Sequence, residues 1–276
     1  DREKSPIIPE SITPNDVDMV VRVQLKTLTA ENAEMVARHL AMVSLLIDQD
    51  PELAHKHALS AARRAGRIAV VRETVGVTAY TVGDYPLALR ELLAHRRISG
   101  SNDQLPLIVD SERGMNRPDR ALKMAREADR KSLTPAVRVN LAIATSGARL
   151  DLGENELALS ELEIPELNPA KVFDYSPPLF RAYSNTLEIL GRTQDAKKWA
   201  DLAQRAEVAL AGKPEDVLEI VEEIEIPKFS ERPKFDPALK AKPPFEKKPF
   251  DNRGTGKSNR GFDGPSRPGR SAPRGR

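Results

Sequence analysis

Residues 69–98, AVVRETVGVTAYTVGDYPLALRELLAHRRI, contain the pattern that decides the fold. Apolar side chains recur at helical spacing on both sides of Gly83 and Asp84. A glycine readily adopts the left-handed backbone that ends a helix, so this pair predicts a break between two helices. Gly76 and Ala88 are small at positions where two helices must approach closely. The stretch therefore predicts one antiparallel helical hairpin.

The same unit recurs along the chain. A small or turn-forming residue is followed five places later by an alanine, and these alanines are 34, 33, 37 and 38 residues apart. A period near 34 is typical of stacked helical hairpins, in which each unit needs its neighbours to bury its apolar face. The spacing predicts an all-α solenoid of about five degenerate hairpins over residues 30–210. The five pairs are Gln49 with Ala54, Gly83 with Ala88, Asn116 with Ala121, Gly153 with Ala158, and Gly191 with Ala196.

The hairpin at 69–98 resembles the tetratricopeptide repeat. When Gly83 is placed at the turn glycine of that family, Gly76 falls on the glycine of its helix A. Tyr85, Ala88 and Leu92 then fall on the tyrosine, the alanine and the large apolar site of its helix B. The resemblance implies a fold of stacked helical hairpins that binds a protein partner and has no catalytic activity.

The other units depart from this motif. Gln49 and Asn116 replace the turn glycine in the first and third units. A narrower resemblance, over residues 32–40, 50–54, 61–65 and 67–73, is to a group of actinobacterial tetratricopeptide proteins with Arg- and Gly-rich disordered ends. That resemblance supports the same fold and implies no particular biochemical activity.

The resemblance also implies a binding surface, the concave face formed by helix A of each unit. Ordinary surface polarity is the alternative interpretation of the same residues. Tyr80 is the first candidate anchor, because an aromatic ring with a polar tip binds a peptide at little entropic cost. Arg181 and Asn185 resemble two residues of the carboxylate clamp with which some members of the family bind the C-terminus of a peptide. The matching position one repeat earlier is occupied by Gly147, so no clamp is predicted. The predicted groove residues are Glu73, Val77, Tyr80, Thr81, Asp103, Asp110, Arg113, Asn140, Ile143, Leu150, Arg181, Asn185 and Glu188.

Both ends of the helical domain, predicted over residues 13–226, have their own signals. Residues 1–12 show no periodicity and predict a flexible lead. Thr13 and Asp16 flank a proline at the first helical position, which predicts a helix to about Leu28. Residues 213–225 predict a last helix with one apolar side, which would cap the solenoid or, alternatively, bind a partner.

Residues 227–276 differ sharply in composition from the rest of the chain. They contain 14 of the 43 Lys and Arg residues but only 5 of the 41 Asp and Glu residues, and Leu239 is their only Leu, Ile or Val. Such a segment is predicted to be disordered, because it cannot bury enough apolar surface. Its cations alternate with Phe rings that stack on unpaired bases, which favours RNA binding, with a solubilising linker as the alternative. The candidate nucleic-acid contacts are Lys228, Phe229, Lys234, Phe235, Lys247, Lys248, Phe250, Arg253, Arg260, Phe262, Arg267, Arg270, Arg274 and Arg276.

Sequence signals for catalysis, metals and membranes are weak. The chain has no Cys, which excludes thiolate metal sites and cysteine nucleophiles. Residues 254–258, GTGKS, lack the opening glycine of a phosphate-binding loop, where the chain has Asp251. The four histidines are predicted to be solvated or hydrogen-bonded, with no metal and no cofactor. No apolar run is long enough to span a membrane and no secretory signal is evident, so the cytoplasm is the default location.

Three functions compete on this basis. The first is an interaction scaffold that binds a protein or peptide in the groove, while the tail adds electrostatic capture. The second is an RNA-associated protein that binds single-stranded or ribosomal RNA through the tail. The third, an enzyme, has no supporting constellation of residues.

Overall fold

The computed structural model describes residues 4–212, and all regular secondary structure in this range is helical. Two 3-10 turns, Pro14–Asp16 and Arg130–Ser132, lie outside the α-helices. The last helix predicted at 213–225 and the tail at 227–276 lie outside the described residues. In the described range the helices are α1 (Met19–Leu25), α2 (Ala30–Leu46), α3 (Pro51–Ala65), α4 (Ala69–Thr81), α5 (Tyr85–Ser99), α6 (Leu105–Gly114), α7 (Pro118–Arg126), α8 (Pro135–Asp151), α9 (Asn155–Leu162), α10 (Ser176–Ile189) and α11 (Thr193–Ala211).

The start of the helical region differs from the sequence prediction of one helix from Thr13 to Leu28. Thr13 and Asp16 do form the expected reciprocal capping pair, but it closes only a 3-10 turn. Val17 is extended, with φ −109° and ψ 141°. Asp18 then caps α1 by accepting a hydrogen bond from the Val20 amide at 2.7 Å. A second side-chain cap so close to the first divides the predicted helix in two.

The nonhelical residues before this turn contact the helices. The Arg38 guanidinium in α2 donates to the carbonyl oxygens of Ile12 at 2.8 Å and Pro9 at 3.1 Å. Arg63 in α3 donates to the Ser5 hydroxyl at 3.1 Å. Three hydrogen bonds thus join residues 5–12 to the first two long helices.

Ten of the helices pack as consecutive pairs, which we call hairpins 1 to 5: α2–α3, α4–α5, α6–α7, α8–α9 and α10–α11. Four of the five connecting turns contain a left-handed residue: Gly83, Asn116, Gly153 and Gly191 have φ between 58° and 79°. In hairpin 2, the Asp84 amide donates back to the Ala79 carbonyl at 2.8 Å, and equivalent bonds close the other three left-handed turns. The sequence-predicted breaks at these positions are therefore confirmed.

The five repeated alanines occupy one structural position. Each is the fourth residue of the second helix of its hairpin, and each is 5% exposed or less. A side chain of this size lets the two helices approach closely, and Ala54, Ala121 and Ala196 belong to buried clusters that also contain Leu or Val. Packing between helices involves mainly neighbours and next neighbours in sequence.

Gly76 of α4 lies directly against Leu92 of α5. A Cβ atom at this position would lie 2.6 Å from the Leu92 side chain and 3.2 Å from its backbone nitrogen. Leu92 is fully buried, so it has little room to move. We expect Gly76→Ala to lower the free energy of unfolding by about 1–3 kcal/mol, because overpacking outweighs the gain in helix propensity. Urea unfolding followed by circular dichroism measures this difference.

Gly147→Ala is the matched control for that substitution. Its Cβ would meet the Arg113 guanidinium, which can move aside only by giving up part of its half-exposed pairing with Asp151, whereas Leu92 is fully buried. We therefore expect a smaller loss of stability than for Gly76→Ala. Equal losses in the two variants would contradict the assignment of a rigid contact at Gly76.

Candidate functional site

A cavity of about 510 Å³ lies among α4, α6 and α8, the first helices of hairpins 2, 3 and 4. Side chains predicted from the repeat positions line it, although they come from three separate hairpins. Its wall combines carboxylates and amides with apolar side chains, a combination that suits an amphipathic ligand. The predicted residues in the wall are Tyr80, Asp103, Asp110, Arg113, Asn140 and Ile143, and the other lining residues are Gln104, Pro106, Leu107 and Ala144.

A continuous hydrogen-bonded network fixes the polar side of this cavity. The Tyr80 hydroxyl donates to Oδ2 of Asp110, and the other oxygen of Asp110 accepts from Nη1 of Arg113 at 2.5 Å. Arg113 also donates from Nε and Nη2 to the two carboxylate oxygens of Asp151, at 2.8 and 3.2 Å. This two-pronged pairing is the strongest geometry available to a guanidinium and a carboxylate. The network joins α4, α6 and α8, so a ligand would meet side chains that are already oriented.

Two glycines make room for the network. A Cβ atom at Gly147 in α8 would lie 2.5 Å from Cζ of Arg113, so only glycine leaves the guanidinium its place. At Gly114 in α6, a Cβ atom would overlap the ring of Tyr85. Tyr85 in turn meets the ring of Tyr80 edge to face, with 5.8 Å between ring centroids. The position of Tyr80 is thus set by an aromatic contact as well as by Asp110.

The electrostatics of the network favour one protonation state. Burial, together with the hydrogen bond to Asp110, raises the pKa of Tyr80 above its usual value, so the hydroxyl remains a donor. Burial alone would lower the pKa of Arg113, but its hydrogen bonds and its attraction to Asp151 and Asp110 raise it. A second cavity of about 350 Å³ shares Asp110 and Arg113 and adds Asp151 to its wall. Across the two cavities, Asp103, Asp110 and Asp151 outnumber the single guanidinium, so the site has an excess of negative charge.

Other predicted groove residues of hairpin 2 lie around a more apolar cavity of about 270 Å³. Glu73 and Val77 line it, together with side chains of α2 and the residues near α1. Oε1 of Glu73 also accepts a hydrogen bond from Nε2 of Gln104 at 2.8 Å, which links this cavity to the larger one. Thr81 is exposed, and its hydroxyl donates to the Val77 carbonyl at 3.0 Å.

The predicted residues of hairpin 5 are not part of either cavity wall. Arg181, Asn185 and Glu188 are exposed on α10, and Arg181 forms an ion pair with Glu207 of α11. Leu150 on α8 is half-buried and also lies outside the wall of the large cavity. The structure therefore brings six predicted residues of hairpins 2, 3 and 4 together around the cavity of about 510 Å³ and leaves Leu150 and the residues of hairpin 5 apart.

Sequence reasoning missed several residues of the site. Gln104 and Pro106 line the cavity just before and within the first turn of α6, and Asp151 holds Arg113 from the end of α8. A signal for Asp151 was present, because it follows Gly147 by four residues and therefore lies on the same helix face. The candidate nucleic-acid contacts at 228–276 and the GTGKS segment lie outside the described residues.

The histidines are hydrogen-bonded, as predicted from the sequence. Nδ1 of His39 and Nδ1 of His57 are 2.9 Å apart, and both side chains are buried. His55 contacts the Thr78 hydroxyl at 2.9 Å, and His95 contacts the Ala69 carbonyl at 3.1 Å. Between residues 4 and 212, no three His, Asp or Glu side chains converge in a way that would hold a metal ion.

Comparisons with family models, with curated proteins and with solved structures give no match to this chain. None of the helices within residues 4–212 is both long enough and apolar enough to cross a membrane.

Proposed function

We propose that this protein is a non-catalytic interaction scaffold of stacked tetratricopeptide-like hairpins, and that it binds an extended protein segment along α4, α6 and α8. The regular burial of the five repeated alanines and the left-handed turns support the repeat assignment. The observation that carries the function is the cavity of about 510 Å³, where residues predicted from repeat positions converge from three hairpins.

The charge of this cavity defines the partner further. Asp103 is exposed at its edge, while Asp110 is held inside by Tyr80 and Arg113. A Lys or Arg side chain in an extended segment would complement the excess of carboxylates, and its aliphatic stem would pack against Leu107. The bound segment is therefore one that contains a basic residue next to apolar residues.

Selection from a random peptide library with the full chain as bait tests this function. We expect enrichment of peptides that contain Lys or Arg. Asn140→Trp should weaken their binding by about tenfold or more, because an indole in place of an exposed amide fills the cavity. Fluorescence anisotropy with the enriched peptides gives the dissociation constants.

Asn185→Trp is the control, because it makes the same change at an exposed position of α10, outside the cavity wall. We expect it to alter the dissociation constants by less than about twofold. Peptides that bind the two variants equally, or a selection with no enrichment, would refute a binding site in this cavity.

The alternative function, RNA binding through the tail at 227–276, depends on residues outside the described range and stays a prediction.

A further inference from the structure

Cationic side chains are concentrated at the ends of three helices. The last turns of α2, α4 and α10 contain no cation, and neither do those of α9 and α11. The helix dipole favours a cation at the end of any helix by about 0.3–1 kcal/mol, so it does not account for this concentration. The cations in question are Arg63 and Arg64 in α3, Arg96 and Arg97 in α5, and Lys123 and Arg126 in α7.

These side chains and Arg67, which follows α3, form no ion pair with another residue in the range 4–212. Arg63 donates to the Ser60 hydroxyl at 2.6 Å and Arg64 to the Asn32 amide oxygen at 3.3 Å, and both partners are neutral. By contrast, the arginines that end α6 and α8, Arg113 and Arg149, are held by carboxylates. The seven cations thus keep their full charge, and we call them the basic edge.

Contacts between the hairpins place the basic edge on one side of the described structure. The His95 contact with the Ala69 carbonyl puts the end of α5 beside the start of α4, which follows closely on the end of α3. Leu105 at the start of α6 and Ala125 near the end of α7 share one buried cluster. Because α6 follows α5 after five residues, the end of α7 lies on the same side.

An open cavity of about 370 Å³ lies within this edge, between hairpins 1 and 2. Arg64 and Arg67 line it together with Arg72, and Leu28 and Ile68 complete its wall. Arg72 is neutralised by Glu91 of α5, but no described carboxylate pairs with the other two guanidinium groups. The cavity therefore offers two unneutralised guanidinium groups to an anion.

We propose that the basic edge binds the phosphate backbone of single-stranded RNA. Six of its seven cations are arginines, whose planar fork matches two phosphate oxygens. The carboxylates beside these cations are Asp103, Glu127 and Asp129 in the adjoining loops and Glu31 and Glu34 at the start of α2. They are fewer than the seven cations, so the net charge of this edge is positive. RNA is favoured over an acidic peptide because residues 227–276 add further cations and five Phe to the same chain, and Phe rings stack on bases.

A charge-matched pair of full-length variants tests this surface. The edge variant combines Arg67→Gln, Arg97→Gln, Lys123→Gln and Arg126→Gln, all at exposed positions. The control variant combines Lys56→Gln, Lys171→Gln, Lys197→Gln and Arg205→Gln, which are equally exposed and lie elsewhere. Both are compared with the unmodified chain for binding to a fluorescent 20-nucleotide oligouridylate by anisotropy across a salt series. The same set is repeated in a full-length chain in which every Lys and Arg of 227–276 is changed to Gln.

We expect the edge variant to bind about tenfold more weakly at low salt, with the control variant within about twofold. The slope of log affinity against log salt should become less negative by up to about 3, since each phosphate contact on a single strand contributes about 0.7. Equal losses of affinity in the edge and control variants would overturn the proposal. An edge variant that binds RNA as tightly as its parent chain, both with the natural tail and with the Gln-substituted tail, would overturn it as well. If polyglutamate bound as tightly as the oligouridylate and lost the same affinity in the edge variant, the surface would be assigned to acidic peptides instead.

Discussion

Phe180→Ala is expected to lower the free energy of unfolding by about 3–5 kcal/mol. Phe180 is 1% exposed in α10 and packs against Ala203 and Ala206 of α11. Its ring also meets that of Trp199 edge to face, with 5.3 Å between centroids. The partners on α11 are small or fixed by their own packing, so they cannot collapse into the cavity left by the ring. Chemical unfolding followed by circular dichroism measures the loss, which is a large share of a typical total of about 5–15 kcal/mol.

Phe173→Ala provides the comparison for this result. Phe173 lies between α9 and α10, is 47% exposed and stacks on Tyr175 with 5.1 Å between ring centroids. The same change of side chain should therefore cost less than about 1 kcal/mol. If both variants lost the same stability, the close packing assigned to α10 and α11 would be wrong.

The helical hairpins could be predicted from the sequence because their signals are local. A glycine or an asparagine marks a turn because that residue itself can adopt a left-handed backbone, whatever surrounds it. Gly83, Asn116, Gly153 and Gly191 all have positive φ. The repeated alanines needed only their spacing, and Ala54, Ala88 and the other three are all buried. The uneven spacing also has a structural reason, because residues 127–134 and 163–175 add irregular segments between hairpins.

The candidate site could be predicted only in part. The assignment of repeat positions predicted which side chains share a face, and Tyr80, Asp110 and Arg113 line the large cavity. It could not identify which of them bond to one another, since Asp151 reaches Arg113 from a different helix. The pairing also needs a glycine at 147, because a Cβ atom there would overlap the Arg113 guanidinium, and the sequence alone does not show that these two residues meet.

The buried histidine pair shows the same limit of local reasoning. His39 is in α2 and His57 in α3, 18 residues apart, and the sequence alone did not place them together. Because α2 and α3 pack antiparallel, the two Nδ1 atoms come within 2.9 Å. One ring must donate its Nδ1 proton and the other must accept it, so the hydrogen bond needs at least one neutral imidazole and is lost when both rings are protonated.

This pair should make stability fall in mild acid. Burial lowers the pKa of His39 to about 4, assisted by the positive charges of His57, Arg64, Arg63 and Arg38, and burial also lowers the pKa of His57. A depressed pKa means that the unfolded chain binds more protons than the folded chain between pH 6.5 and 4. The contribution of the two neutral histidines to the free energy of unfolding is therefore fully present above pH 6.5 and is lost as the pH falls towards 4. For His39 alone we expect a loss on the order of 3 kcal/mol, at about 1.4 kcal/mol for each pH unit between the two pKa values.

The double variant His39→Asn, His57→Asn isolates this effect, because an amide can replace the Nδ1 hydrogen bond but does not titrate. It removes ring volume, so we expect it to be less stable than the unmodified protein at pH 7. Between pH 7 and 4, however, its free energy of unfolding should fall by about 3 kcal/mol less than that of the unmodified chain, since both proteins share the same carboxylates. Urea unfolding at half-unit pH intervals gives the two curves, and parallel curves over this range would show that the histidine pair does not carry the acid sensitivity.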